Sequence, residues 1–121
     1  MKNKVLIIAE AGVNHNGNLE YAKKLIDVAS ESGADVVKFQ TFKSVDLTTN
    51  YAPLANYQNV NSPELKNQSV LLKKLELSEA NHYSLKSYAE KSGIEFLSTA
   101  FTVKSVDLLS KLNLKMIENI D

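Results

Sequence analysis

The sequence predicts an α/β fold built on a parallel sheet, and three observations point to it. Short runs rich in β-branched and aliphatic residues recur at Val5-Leu6-Ile7-Ile8-Ala9, Val36-Val37-Lys38-Phe39-Gln40-Thr41-Phe42 and Ile94-Glu95-Phe96-Leu97-Ser98-Thr99. Segments with apolar residues at helical spacing separate these runs, and Gly33 and Gly93 stand where two of the helical segments should stop. Strands that alternate with helices are joined by crossovers, and crossovers connect parallel strands. On pattern alone two architectures stay open: a stand-alone flavodoxin-like or other small doubly wound sheet, or the first three and a half units of a (β/α)8 barrel.

The first run, Val5 to Ala9, has the unbroken apolar character of a strand buried on both faces. Asn18 is placed to cap a helix whose Leu19, Ala22, Leu25, Ile26 and Ala29 fall on one face, and Gly33 supplies a left-handed stop. In the second strand, period-two alternation sends Lys38, Gln40 and Phe42 to one face and Val37, Phe39 and Thr41 to the other. From Lys43 to about Asn67 the chain is rich in Asn, Ser and Thr and contains Pro53 and Pro63, which predicts a long surface excursion with little regular structure. Ser69 to Leu77 reads as a short helical stretch; Ser78 then caps a helix carrying Leu85, Tyr88 and Ala89 that ends at Gly93. After the third strand, Val103, Val106, Leu109 and Leu112 line another helix, and Leu114-Lys115-Met116-Ile117 opens a fourth strand.

Composition bounds the function. Fourteen basic residues balance fourteen acidic ones, so no excess positive charge points to nucleic acid or to an anionic membrane. Apolar residues make up 44% of the chain, the level of an ordinary globular protein. The absence of cysteine excludes disulfides, thiolate metal sites and a cysteine nucleophile. The first apolar run meets Glu10 too soon for a signal peptide or a membrane span, which gives a cytoplasmic location as the expectation. At 121 residues the chain is shorter than a whole (β/α)8 barrel of roughly 250 residues.

Ligands of parallel α/β folds gather at the carboxyl ends of the strands. Those ends carry Glu10 followed by Asn14-His15-Asn16-Gly17, then Lys38 and Gln40, then Ser98 and Thr99. A lysine donates to an anion and a neighbouring carboxylate handles protons, so Glu10 with Lys38 suits an anion-binding site that performs proton transfer. The same two residues could equally neutralise each other as a structural pair. His15 reads as a metal ligand or as a hydrogen-bonded structural residue, and His82, with no second ligand near it in sequence, as solvent-exposed. Asn16-Gly17 is a common turn. Ser98 and Thr99 could donate to an anion or simply cap the next helix. Neither a phosphate-loop glycine pattern nor a basic stripe interleaved with aromatics is present.

Several ordered segments carry a resemblance. Ile8-Ala9-Glu10-Ala11-Gly12-Val13-Asn14-His15-Asn16-Gly17 resembles the opening motif of the N-acetylneuraminate (sialic acid) synthase family. Val36 to Phe42 resembles its second-strand motif, Tyr51-Ala52-Pro53 through Tyr57-Gln58 the loop that follows, Lys73-Lys74-Leu75-Glu76-Leu77-Ser78 the segment before the next helix, and Phe96-Leu97-Ser98-Thr99-Ala100-Phe101 the third-strand motif. Together they span about Val5 to Ile117.

The resemblance implies a TIM (β/α)8 barrel, of which residues 1–121 would supply the first three to four βα units, and a carboxyl-terminal antifreeze-like domain that this chain lacks. It also implies condensation of phosphoenolpyruvate with N-acetylmannosamine or a related amino sugar, with release of phosphate, in a homodimer that uses manganese or magnesium. By motif position Glu10 matches the catalytic glutamate, Lys38 a lysine holding phosphoenolpyruvate and Gln40 a glutamine touching the sugar, with Ser98 and Thr99 as further substrate-binding candidates. No metal ligand of the family matches a residue here. Ala100 stands where the family usually has proline and Thr102 where it often has aspartate. From Glu118 the family's lysine and Ser-Gly-Glu motif are missing, so the expectation is an incomplete, inactive portion of a synthase. Two other readings stand beside it: an aldolase-like enzyme using Lys38 as a Schiff-base lysine, and a small non-enzymatic α/β module that binds an anion or a partner.

Overall fold

The order and direction of the strands bear on the two architectures. A computed structural model describes residues 5–51, 63–114 and 118–119. Its elements are β1 (Ile8–Gly12), α1 (Leu19–Glu31), β2 (Val36–Thr41), α2 (Ser44–Tyr51), α3 (Pro63–Leu75), α4 (Glu79–Lys91), β3 (Glu95–Ala100), α5 (Val103–Lys111) and β4 (Glu118–Asn119). The strands form one four-stranded sheet in the order β1-β2-β3-β4, every pair parallel. A flavodoxin-like sheet would seat β1 between β2 and β3. The sequential order sets the flavodoxin topology aside.

Local chemistry explains where the helices begin and end. Asn18 Oδ1 accepts from the Tyr21 amide at 2.9 Å and Ser78 Oγ from the Asn81 amide at 3.0 Å, so both expected caps satisfy first-turn donors. Gly33 and Gly93 follow α1 and α4 with φ of 85° and 76°. One face of the sheet carries the core: Val37, Phe39, Phe96 and Ala100 meet Ala22, Ile26 and Ala29 of α1, Leu85 and Ala89 of α4 and Leu109 of α5. The Phe39 and Phe96 rings stack at 5.5 Å, and truncating either fully buried ring to alanine would cost about 3–5 kcal/mol. Tyr88 Oη donates to Asp27 Oδ1 at 2.7 Å and Ser30 Oγ to the Ser92 carbonyl at 2.8 Å, which ties α1 to α4 above that core. Among the described residues no helix is long and apolar enough to cross a membrane.

Three expectations change. The strand expected at Val5 begins at Ile8, and its amino-terminal side is open rather than buried: Val5 is 75% exposed and Ile8 45%. β1 lies at the edge of the sheet, so its outer flank has no strand beside it among the described residues. The stretch from Lys43 to Asn67 is not devoid of regular structure, since α2 and the first turns of α3 lie in it. Pro63 opens α3 at the position where a missing amide hydrogen costs nothing, so the residue that looked like a loop marker is a helix start. The loop motif beyond Tyr51 and most of the expected start of the fourth strand, residues 115–117, lie outside the described residues; β4 follows, pairing Glu118 with Thr99 and Asn119 with Ala100.

Candidate active site

Register alone brings the first site residues together. Glu10 of β1 is the partner of Lys38 on β2, and Gln40, two residues further, is the partner of Thr99 on β3. Partners in a parallel ladder point to the same side, so these four side chains share the face opposite the aromatic core. Lys38 Nζ lies 3.1 Å from Glu10 Oε1; the lysine side chain is 20% exposed and the glutamate 54%. The carboxylate is therefore both paired and open to solvent, unlike a buried structural pair.

Glycine supplies the room between these groups. The β1–β2 register shifts between Glu10 and Gly12, a bulge that bends the strand at its carboxyl end. Gly12 has φ +56°, and a Cβ placed on it would stand 3.5 Å from Glu10 Oε2 and 3.6 Å from Gln40 Nε2. The carboxylate and the amide thus flank one small space. An ammonium, a carboxylate, an amide and a hydroxyl on one sheet face can neutralise an anion, orient a polyol and move a proton.

Ser98 does not join them. Its Cα partner is Phe39, and its buried Oγ lies 2.6 Å from Thr41 Oγ1 on the helix-covered face. Adjacent residues of a strand face opposite ways, so Ser98 and Thr99 cannot both line one site. His82, expected at the surface, is fully buried on that same covered face, with Nε2 2.9 Å from Thr41 Oγ1 and Nδ1 2.7 Å from the Ser78 carbonyl. It falls in line with Leu85 and Ala89, three and seven residues on, a spacing that carries the signal of a buried face. Burial pushes its pKa below the ordinary imidazole value.

The Asn14-His15-Asn16-Gly17 motif is a packed turn. His15 is fully buried, its Nδ1 accepts from the Gly17 amide at 2.8 Å, and its ring lies 5.9 Å from that of Phe39. Burial, and secondarily the nearby His82, lowers its pKa. Asn16 and Gly17 both have positive φ, 53° and 73°, and the Asn18 amide closes the turn on the His15 carbonyl at 2.9 Å. A Cβ on Gly17 would stand 2.1 Å from the Lys74 carbonyl oxygen, so the turn is pressed against the end of α3 and the segment that follows it. From that segment Glu76 Oε2 accepts from the Ser44 amide at 2.7 Å and caps α2, a role the sequence reading did not assign. Burial alone would raise the Glu76 pKa, but the Ser44 amide and the Lys73 ammonium outweigh it and hold the carboxyl below its ordinary value.

Thr102 caps α5 by accepting from the Ser105 amide at 3.2 Å. A cleft of about 320 Å³ opens elsewhere, between Phe42, Leu77 and Leu108; the Lys104–Asp46 and Lys111–Glu79 pairs neutralise its rim, and none of the four site residues lines it. Among the described residues no three His, Cys, Asp or Glu are grouped to hold a metal ion. His82 uses both ring nitrogens in hydrogen bonds of the fold, whereas His15 uses Nδ1 and keeps a buried Nε2 without a hydrogen-bond partner.

The model of the NeuB family matches residues 25–118. The chain is 53% identical over 112 residues to the N,N'-diacetyllegionaminic acid synthase of Legionella pneumophila, covering 93% of this chain and 32% of that protein. It is 35% identical over 107 residues to the human N-acetylneuraminate-9-phosphate synthase, covering 88% of this chain and 30% of the relative. The fold matches the N-acetylneuraminic acid (sialic acid) synthetase of Leptospira borgpetersenii, solved in complex with citrate, with a TM-score of 0.75 at 30% identity over 95% of this chain and 35% of that one. The chain thus spans about a third of the length of the relatives it matches.

Proposed function

Because the chain belongs to the NeuB family, a family of sugar-acid synthases, we propose that the Glu10–Lys38–Gln40–Thr99 face is the donor and acceptor site of a phosphoenolpyruvate-dependent synthase built on a (β/α)8 barrel. The observation that carries this reading is the exposed Glu10 carboxylate paired with Lys38 at the carboxyl ends of adjacent parallel strands, flanking one space with the Gln40 amide.

The chemistry follows from these groups. Lys38 neutralises the phosphate or carboxylate of phosphoenolpyruvate, and the Thr99 hydroxyl donates to the same anion. Gln40 holds the open-chain amino sugar with its aldehyde carbon against the enol carbon. The enol π pair forms a carbon–carbon bond between them, the aldehyde oxygen takes a proton from solvent, and positive charge develops at the phosphate-bearing carbon. Glu10 stabilises that charge and accepts a proton from the water that adds there; cleavage of the carbon–oxygen bond of the tetrahedral product releases phosphate. The greater identity to synthases of a diacetylated sugar acid favours an acceptor with two acetamido groups over N-acetylmannosamine. A divalent metal and a partner subunit would draw on residues outside those described, and no step above passes through them.

The test is release of phosphate from phosphoenolpyruvate with each candidate sugar and manganese, beside Glu10→Ala. Release that depends on sugar and disappears in the variant supports a complete site; sugar-dependent release that survives the variant refutes the role of Glu10. No release while phosphoenolpyruvate still binds means that this chain carries the donor half alone.

A further inference from the structure

A buried chain of hydrogen bonds runs directly behind the site. Ser98 Oγ lies 2.6 Å from Thr41 Oγ1, Thr41 Oγ1 2.9 Å from His82 Nε2, and His82 Nδ1 2.7 Å from the carbonyl of Ser78. The terminal carbonyl fixes every direction. It can only accept, so Nδ1 carries the hydrogen and Nε2 of the neutral ring accepts; Thr41 therefore donates to His82, and Ser98 donates to Thr41. Burial, which disfavours the imidazolium, holds the ring in the form this order needs. Each link belongs to a different element: Ser98 to β3, Thr41 to β2, His82 to α4, and Ser78 to the cap of α4.

Packing does not call for this chain. Val37, Phe39 and Phe96 fill the same covered face with apolar side chains, and valine at 41 would fill nearly the same space without a hydroxyl to satisfy. What the polar link adds is geometry. Thr41 and Ser98 are the immediate neighbours of Gln40 and Thr99, which are partners across the ladder on the opposite face. A 2.6 Å bond between the hydroxyls behind the sheet fixes the lateral spacing of β2 and β3 where those two side chains stand in front of it. Resting on the function proposed above, we propose that Thr41 and His82 are positioning residues that hold Gln40 and Thr99 at the spacing required to grip phosphoenolpyruvate and the sugar together.

The experiment compares the full chain with Thr41→Val, Thr41→Ser, Ser98→Ala and Leu109→Ala, the last removing a buried core side chain that makes none of the link's hydrogen bonds. Two readouts are taken: phosphoenolpyruvate affinity by calorimetric titration, and amide hydrogen exchange along β2 and β3. Thr41→Val leaves a buried ring nitrogen and a buried hydroxyl without their partner, and is expected to weaken binding about tenfold. Thr41→Ser restores it, and Leu109→Ala changes it less than about twofold despite its stability loss. In Thr41→Val, exchange at Gln40 and Thr99 should speed up relative to Val37 and Phe96, whereas Leu109→Ala should move all four alike. Unchanged affinity with uniform exchange in Thr41→Val overturns the inference. If Thr41→Val does not fold, Ser98→Ala, which breaks one link, decides by the same two readouts. If the unaltered chain binds no phosphoenolpyruvate, the proposed function falls, while the exchange pattern still decides whether the link fixes the strand ends.

Discussion

Gly17→Ala separates backbone strain from steric contact, because the chain contains its own control. Gly17 and Gly33 have φ of 73° and 85°, so alanine at either must enter the left-handed region at a cost of about 1–2 kcal/mol. At Gly33 a Cβ meets nothing within 4 Å, and the penalty ends there. At Gly17 the Cβ would stand 2.1 Å from the Lys74 carbonyl oxygen and 3.3 Å from that of Glu76. Both are backbone atoms that cannot rotate away, so the turn must part from the end of α3 and the segment that follows it. Overpacking of this kind adds about 1–3 kcal/mol. Gly17→Ala should therefore lower the urea midpoint clearly more than Gly33→Ala, at unchanged slope. It should also loosen the Glu76–Ser44 contact, seen as faster exchange of the Ser44 amide. Equal losses in the two variants would refute the claim that the turn and the segment are in contact.

Two further predictions follow from the buried polar groups. Glu76→Ala removes a carboxylate that accepts from the Ser44 amide at the start of α2, and should cost about 1–2 kcal/mol in a thermal or urea melt; loss within 0.3 kcal/mol, roughly the level of an exposed pair, would mean that the cap contributes nothing. Stability should also fall with acid in two stages. His15 and His82 have pKa values lowered by burial, so the unfolded chain takes up protons near its ordinary imidazole value of about 6.5 while the folded chain does not. Their contribution is complete above that value and declines as pH falls towards the folded pKa values, by at most about 1.4 kcal/mol per pH unit for each ring. Glu76, lowered by its partners, adds a contribution present above the ordinary carboxyl value and lost as pH falls through the folded one. Urea midpoints from pH 8 to pH 4 check this; a flat profile between 7 and 5 would contradict buried neutral imidazoles.

Much of the fold was legible because single residues mark its boundaries. Asn18 and Ser78 start α1 and α4, and Gly33 and Gly93 follow their ends, each by local chemistry that needs no tertiary context. The extent of β1 was not legible, because an apolar run looks the same whether or not a strand lies beside it. Strand order was equally hidden, since βα alternation fits several parallel sheets, and only the pairing of β1 with β2 and β2 with β3 excludes the flavodoxin order. Of the candidate site, the strand ends and motifs place Glu10, Lys38, Gln40 and Thr99 at positions that the register brings to one sheet face. Strand parity puts Ser98 on the other face, which its place at a strand end does not reveal, and the burial of His82 is carried by its spacing from Leu85 and Ala89. The roles of Glu76 and Gly17 depend on contacts across about 30 and 57 residues of chain, which no local pattern encodes.

The most direct test is a calorimetric titration of the chain with phosphoenolpyruvate beside Lys38→Met, which keeps the length of the side chain and removes its charge. Saturable binding that the variant weakens tenfold or more, about 1.4 kcal/mol, is the predicted result. Equal binding by both proteins, or none by either, would contradict the assignment of this sheet face as the donor site.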